Sequence, residues 1–492
     1  MNASGTGLYT SAQVRDLDRR AIHELGIPGY ELMTRAGHAT LDALRAHWPR
    51  VQSLTVLCGP GNNGGDGYVV ARVAKAVGLR ARVIALADPT GLTGDARRAC
   101  DDFIAAGGRC EPWTQAALDG EVIVDALYGT GLAREVTGDA ARLIDAANAA
   151  RRPIVAVDIP SGLHADSGVV LGIATRAALT VTFIGRKVGQ HVGAGPEHCG
   201  RIVFDALDVP GATYAGMAPV ARLLDERDVL QVLPRRRRAA HKGDYGHVLV
   251  IGGGRGMPGA ARLAGEAALR AGAGLVTLAV HPDNAGSVAA RPELMCVAAR
   301  SVDDVAGPLA RATVVAIGPG LGQDEWARSL LEAATASGRP LVVDADALNL
   351  VAAAPHALDG WVLTPHPGEA ARLLGRSSGE IQSDRLRAAR ELQERYRGTI
   401  VLKGAGSIVA GPAGTTPAIC DRGNPGMAAA GMGDVLTGII AGIAAQCGDL
   451  GLAARAGVLV HAHAGDLAAA YGERGLLASD VIAQVRACVN PA

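Results

Sequence analysis

Residues 58–72 read Cys-Gly-Pro-Gly-Asn-Asn-Gly-Gly-Asp-Gly-Tyr-Val-Val-Ala-Arg, and this stretch decides the fold. An apolar strand, 54–58, runs into five glycines within nine residues, and a helical pattern follows. Glycine lets a backbone turn sharply and approach a ligand, and the start of a helix offers free N–H groups to an anion. The stretch therefore reads as a nucleotide- or phosphate-binding turn in an α/β sheet. Gly59, Gly61 and Gly64 satisfy the loose pattern GxGxxG, which alone has little specificity. Asp66 departs from an ordinary dehydrogenase fingerprint. A carboxylate beside a pyrophosphate would repel it, so Asp66 is expected to bind a sugar hydroxyl or to orient a neighbour.

Outward from this turn, 492 residues leave room for two or three domains, each with its own core. Aromatics are only 3% while glycine reaches 66 residues, a balance suited to closely packed α/β layers with short loops. With 48 basic and 48 acidic residues the formal charge is zero, which gives no footprint for nucleic acid or an anionic membrane. The eight cysteines are scattered without a CxxC, and residues 1–10 hold no apolar run. Both point to a reducing cytoplasm, and no uncharged apolar stretch is long enough to span a bilayer. Only four of the basic residues are lysines: Lys75, Lys187, Lys242 and Lys403. A chain that otherwise uses Arg is expected to keep Lys where a compact ammonium is needed.

The apolar spacing predicts helices over 10–45, broken at Gly26-Ile27-Pro28-Gly29. Strands then alternate with helices at 81–87, 122–126, 154–158, 179–183 and 201–204. Such short β-branched runs suit buried parallel strands, whose ligands bind beyond their carboxyl ends. The pattern dissolves at 209–220, which places a connection between a domain over 1–215 and another over 216–492. A charged helix is expected at 223–232, and Arg235–Arg238 reads as a solvated junction. The alternation restarts with 247–251, then 275–279, 313–317, 341–344, 361–363 and 400–402, with helices dominating from Gly433. No fixed-period repeat relates the halves.

In the first half, Asn63, Asp125 and Ser161 each place an oxygen just after a strand. Amide, carboxylate and hydroxyl suit a hard cation, a single carboxylate suits a monovalent one, and loop capping is the alternative. Asp158, closing its strand, is placed for general acid–base work, and Lys187 follows the next strand. Together with Thr10-x-x-Gln13, Gly26-Ile27-Pro28, Leu32-Met33 and Ala36-Gly37, the segments GNNGGDG, DALYGTG and DIPSG resemble the NAD(P)H-hydrate epimerase family, known as the YjeF N-terminal domain. The resemblance covers roughly 8–210 and implies a Rossmann-like three-layer sandwich. It implies that Asn62, Asn63, Gly64, Gly65, Asp66, Gly129, Thr130, Gly131, Leu132, Ala133, Arg134, Glu135 and Asp158 bind a hydrated dinucleotide. It also implies a potassium ion on Asn63, Asp125 and Ser161, with Asp158 and Lys187 catalytic. Thr34 departs from the family, which usually has Glu there.

The second half carries a different set: His241-Lys242-Gly243-Asp244-Tyr245-Gly246, Gly318-Pro319-Gly320-Leu321-Gly322, Val343-Asp344-Ala345-Asp346, Thr364-Pro365-His366-Pro367-Gly368-Glu369, Lys403–Ser407 between two strands, and Gly431-Met432-Gly433-Asp434 opening a helix. A glycine-rich helix start makes an anion hole, and Asp434 there could deprotonate a hydroxyl attacking a phosphoryl group. A plain helix N-terminus is the alternative. No GxxxxGK[ST] segment is present, which argues against P-loop chemistry. His461 and His463, one residue apart on a helix, face different ways and suit no metal. The assembled pattern resembles the ADP-dependent NAD(P)H-hydrate dehydratase family, a ribokinase-like α/β fold, over roughly 225–490. That resemblance implies hydrate contacts at Ala260, Gly320, His366 and Asp434. It implies adenine-nucleotide contacts at Lys403, Gly404, Ala405, Gly406, Ser407 and Gly433.

The joint expectation is a bifunctional isomerase and lyase for hydrated NADH and NADPH. The first domain would interconvert R and S hydrates, and the second would dehydrate the S hydrate through a phosphorylated intermediate. ADP with magnesium would be the phosphoryl donor. The expected partners are small molecules only, in a homo-oligomer of four or more copies. Two other readings compete: a small-molecule kinase with an accessory domain, and a non-catalytic N-terminal binding module.

Overall fold

Runs of Val, Ile, Leu and Ala with no polar alternation can be stable only when both faces of a sheet are covered. The computed structural model, which describes residues 5–114, 118–286 and 291–490, arranges these runs in two compact units, Met1–Arg222 and Leu223–Ala492.

In the first unit seven strands form one parallel sheet: β1 (Ser53–Cys58), β2 (Arg80–Ala85), β3 (Cys110–Pro112), β4 (Val122–Ala126), β5 (Ile154–Val157), β6 (Leu179–Phe183) and β7 (Arg201–Asp205). Their order is β3-β2-β1-β4-β5-β6-β7, and every pairing is parallel. The alternation of side chains divides the core. Val56, Val124 and Val155 join one cluster with Tyr68 and Val69, while Leu57, Ile123 and Ile154 join another with Leu143 and Ile144. Two helical layers thus sandwich the sheet. The helices of this unit include α1 (Ser11–Arg19), α2 (Gly29–His47), α3 (Asn62–Ala76) and α4 (Gly94–Ala105). Thr10 and Gln13 form a capping box at the start of α1: Gln13 N donates to Thr10 Oγ1 (3.2 Å) and Thr10 N to Gln13 Oε1 (3.1 Å).

Because β1 pairs with β4 while β2 and β3 run off the other side, the strand order reverses between β1 and β4. Crevices open at the carboxyl ends of strands where the order reverses in this way. Gly59, at the end of β1, crosses so close to β4's exit that a Cβ there would lie 1.8 Å from the Leu127 carbonyl oxygen. Only glycine allows that crossing.

The second unit builds a nine-stranded run in the order β10-β9-β8-β11-β12-β13-β14-β15-β16. In chain order these are β8 (His247–Ile251), β9 (Leu275–Val280), β10 (Met295–Ala298), β11 (Val314–Ile317), β12 (Leu341–Val343), β13 (Trp361–Leu363), β14 (Thr399–Leu402), β15 (Ser407–Ala410) and β16 (Ala418–Cys420). The last two pairings are antiparallel and the others parallel. The halves are therefore two different α/β folds, as the lack of a repeat implied. The helix expected over 223–232 is confined to Glu226–Leu230, and Arg235–Arg238 are exposed. Among the described residues no helix is long and apolar enough to cross a membrane.

Three helices, α5 (Pro258–Arg270), α6 (Met432–Cys447) and α7 (Leu450–Ala468), pack against one face of this sheet in one apolar cluster. At Gly438 a Cβ would fall 2.0 Å from the Ala264 carbonyl oxygen, so α5 and α6 touch backbone to backbone. Gly438→Ala is expected to force them apart and destabilise this unit by about 1–3 kcal/mol. A urea midpoint equal to the parent's would contradict that.

Candidate functional site

At the order reversal of the first unit lies a cavity of about 780 Å³, within the range of small-molecule sites. Its wall includes Asn62, Asn63, Asp66, Gly129–Arg134, Asp158 and Lys187. Four chain segments, leaving β1, β4, β5 and β6, bring these residues together. Asn62–Asp66 are not a loop but the start of α3, where the first N–H groups have no partner within the helix, while Gly65 N already donates to the Gly61 carbonyl (3.1 Å). Gly64 and Gly65 lie behind the wall, where a Cβ would meet the Gly59 carbonyl and the Met33 side chain. Glu135 is exposed and lies off the wall among the described residues. Thr34 turns its hydroxyl back onto the Tyr30 carbonyl (2.8 Å), inside its own helix.

Asp125 is a buried hub. Its Oδ1 accepts from Ser161 Oγ (2.6 Å) and Leu127 N (3.2 Å), and its Oδ2 accepts from Ser161 N (2.8 Å) and Thr175 Oγ1 (2.5 Å). Burial nonetheless holds its carboxyl above the usual range, against those hydrogen bonds. Asn63 stands against Gly129, with its Nδ2 buried and without a hydrogen-bond partner among the described residues.

Asp158 does not end its strand. It sits one residue beyond β5 at φ +67°, a left-handed conformation that costs a non-glycine residue about 1–2 kcal/mol. The turn aims its carboxylate at Lys187, whose Nζ donates to Asp158 Oδ1, to Thr182 Oγ1 (2.9 Å) and to the Phe183 carbonyl (3.3 Å). All three ammonium protons are thereby occupied inside the protein, and the Lys187 side chain is 0% exposed. Asp66 faces the same cavity; burial and the neighbouring carboxylates of Asp158 and Asp18 push its carboxyl well above the ordinary range, against Lys187.

In the second unit α6 opens at Gly431 (φ +86°), which bends the chain so that the N–H groups of Met432, Gly433 and Asp434 start the helix. Burial, followed by Asp344, pushes the Asp434 carboxyl up to about 7 against the pull of Lys403. Lys403 Nζ donates to Asp344 Oδ1 at 2.6 Å and lies 3.8 Å from Glu369 Oε2. A Cβ on Gly433 would sit 3.3 Å from that Nζ, so lysine, glycine and carboxylates share one spot. Unlike that of Lys187, the Lys403 ammonium makes a single hydrogen bond among the described residues, leaving donors for a ligand. Burial alone would raise Asp344, but Lys403 and hydrogen bonds from Thr364 and Thr437 outweigh it and hold the carboxyl below its ordinary range.

The segment 403–407 is a tight turn between β14 and β15, closed by Ser407 Oγ on Gly404. His366 caps the helix Pro367–Leu374: its Nδ1 accepts from Gly368 N (3.0 Å) and Glu369 N (3.3 Å), and its Nε2 lies 3.4 Å from Glu369 Oε1. Burial, with Lys403 next, lowers its pKa. Ala260 and Gly320 adjoin each other, and the 318–322 turn is tied to the Asp434 group through Asp346, which accepts from Gly322 N (2.8 Å).

Three residues escaped the sequence reading as parts of these sites. Asp344 carries no role of its own in the sequence pattern, although it directly follows the buried strand β12. Arg385, 2% exposed, donates to the carbonyls of Leu402, Lys403 and Gly406 and so shapes the 403–407 turn. No local pattern betrayed it. Asp18, an acid beside the buried stripe of α1, lines the first cavity.

Fold and sites together define a two-domain α/β protein, with a cavity at the order reversal of the first unit and a glycine-opened helix start beside Lys403 in the second. The family model described as YjeF-related protein N-terminus matches residues 29–189, and the one for NAD(P)H-hydrate dehydratase matches 248–486. The chain is 48% identical over 489 residues to a bifunctional NAD(P)H-hydrate repair enzyme Nnr of Coxiella burnetii, covering 99% of this chain and 100% of that one. It is 45% identical over 490 residues to the enzyme of that name from Escherichia coli, covering 98% and 94%. A ribokinase-like superfamily protein of Enterococcus faecalis matches 55% of this chain and 95% of its own, at 31% identity and TM-score 0.50. The chain belongs to the family of bifunctional NAD(P)H-hydrate repair enzymes.

Proposed function

We propose that the first unit epimerises hydrated NADH and NADPH and that the second dehydrates the S hydrate at the expense of ADP. Water adding across the enamine double bond of a reduced nicotinamide leaves a hydroxyl on the carbon beside the ring nitrogen, in either configuration. Hydroxide leaves poorly. In the second unit Asp434 would take the proton of that hydroxyl as it attacks the terminal phosphorus of ADP, with AMP departing. The new phosphate ester then leaves as phosphate, a proton is lost from the neighbouring carbon, and the double bond returns. The observation that carries this reading is the Asp434–Lys403–Gly433 arrangement: a base near neutrality, an ammonium with free donors and helix N–H groups at one place. ADP would bring magnesium on its own phosphates. In the first unit Asp158 performs proton transfer, because the ammonium of Lys187 has no proton or lone pair free and serves to hold it.

Asn63, Asp125 and Ser161 suit a potassium ion. They offer amide, carboxylate and hydroxyl oxygens, the hard donors such a cation takes. The buried Asn63 Nδ2 has no partner, so its amide can present oxygen instead without losing a hydrogen bond. Ser161 can turn its proton to the Tyr128 carbonyl (3.2 Å), freeing oxygen lone pairs. When bound, the ion would supply a fixed positive charge beneath a phosphate-bearing substrate.

The assay is mixed hydrate epimers with ADP, followed by reduced-nicotinamide absorbance; no recovery would sink the reading. Accumulation of a stable phosphorylated product would instead support a kinase. Ser161→Ala is expected to abolish the activation of epimerisation by potassium over choline, and retained activation would remove the ion from this place.

A further inference from the structure

Inverting the hydroxyl-bearing carbon takes two proton movements. A proton must reach the hydroxyl that leaves one face, and another must be taken from the water that adds to the opposite face. The Asp158–Lys187 ion pair supplies one carboxylate at the cavity. A proton-bearing group is also needed, and the further carboxyls lining this cavity include Asp66 and Asp18.

Asp18 fits that part. Val14 and Asp18 of α1, four residues apart, both line the cavity, as does Ile22 in the π-helical turn Arg20–Glu24 that follows, so this face of the segment is turned to it. Asp16, two residues earlier, is paired with Arg19 and Arg20. Asp18 has no hydrogen-bond or ion-pair partner among the described residues, and it is half-buried. A carboxyl in that setting has nothing to hold it ionised except Lys187, already bound to Asp158. Burial, with the Asp158 charge added, pushes it up to about 6 against Lys187. The other charged and titratable groups on this cavity are Asp158, Lys187, Asp66 of α3, Asp95 of α4, Tyr128 and Arg134, with Arg15 on its own helix, and Tyr214 feels its charge.

We propose that Asp18 is the acid of the epimerisation, giving its carboxyl proton to the departing ring hydroxyl while Asp158 accepts the proton of the incoming water. The C–O bond breaks with its electron pair going to oxygen, which leaves as water, and the ring-nitrogen lone pair forms a C=N bond. Water then adds to the other face, the C=N pair returns to nitrogen, and the released proton goes to Asp158. The proton Asp18 lost is restored from solvent as Asp158 sheds its own. Two carboxyls with opposite protonation at one carbon are what such a reaction requires. The inference rests on the epimerase reading above.

The test follows R-to-S conversion without ADP, by chromatographic separation of the epimers, in the full chain. The parent must first interconvert them; if it does not, the epimerase reading itself falls. Given an active parent, Asp18→Asn and Asp18→Ser are each expected to lower kcat about 100-fold or more with little change in KM. ADP-dependent dehydration of pure S hydrate, measured on the same samples, reports that the chain is folded and should not move. The parent's kcat/KM should fall as pH rises through about 6, since the protonated form is needed, and Asp18→Glu should keep that falling limb while Asp18→Asn loses it. An Asp18→Asn rate within about threefold of the parent, or an unchanged falling limb, overturns the proposal.

Discussion

Asp434→Asn is expected to abolish recovery of reduced nicotinamide from S hydrate and ADP, lowering kcat about 10²–10⁴-fold, while epimer exchange continues at the parent rate. The substitution keeps the size of the side chain at the helix start and removes only its ability to take a proton. Asp434 has no hydrogen-bond partner among the described residues, so little else is disturbed. Because burial pushes its carboxyl up to about 7, the base is only partly ionised near neutrality. The parent's kcat/KM for dehydration should therefore rise with pH through about 7 and then level off. Stability should move the other way. The folded pKa lies above the ordinary 3.8, so the native state favours the protonated form, and folding is penalised progressively as pH rises from about 4 to about 7. Asp434→Asn removes that penalty. Its melting temperature should match the parent's at pH near 4 and exceed it above about 7. Loss of both activities in this variant would contradict two independent sites, and a flat pH profile would remove Asp434 as the base.

Asp158→Asn is expected to stop epimerisation and to destabilise the first unit by about 3–5 kcal/mol, leaving dehydration of pure S hydrate intact. Asparagine tolerates the left-handed backbone at this position, so the loss is electrostatic rather than conformational. It strips the countercharge from a lysine side chain that is 0% exposed, and an unpaired buried ammonium is costly. A double variant, Asp158→Asn with Lys187→Met, should regain much of the lost stability without regaining activity. Denaturant unfolding of the four members of this cycle gives the coupling. Additive stabilities would mean that the pair contributes nothing as a pair.

Much of the fold was legible in the chain. The strands β1, β4, β6, β8 and β13 were bounded to within a residue, because continuous β-branched runs between glycines have few other readings. The scarcity of lysine was informative but incomplete. Lys187 and Lys403 are the two that form short-range ion pairs with buried or half-buried carboxylates, whereas Lys242 is exposed and Lys75 reaches only the Gly107 carbonyl. The short edge strand β3 was invisible, since three residues ending in proline carry no period. Asp18 was passed over because an acid on an amphipathic helix ordinarily faces water.

What the sequence alone determined is the fold class and the chemistry on offer: glycine-lined turns after strands, a carboxylate after β5, and a glycine-opened helix carrying Asp434. These are local features, set by backbone freedom and by hydrophobic period. What only the tertiary structure decided is which charges meet. Asp344 and Lys403 are far apart in the chain, as are Asp158 and Lys187, yet each pair closes inside the protein. The protonation of Asp434 and Asp18 follows from those meetings and from burial. An electrostatic energy depends on distance and on the exclusion of water, and neither exists until the sheets have folded.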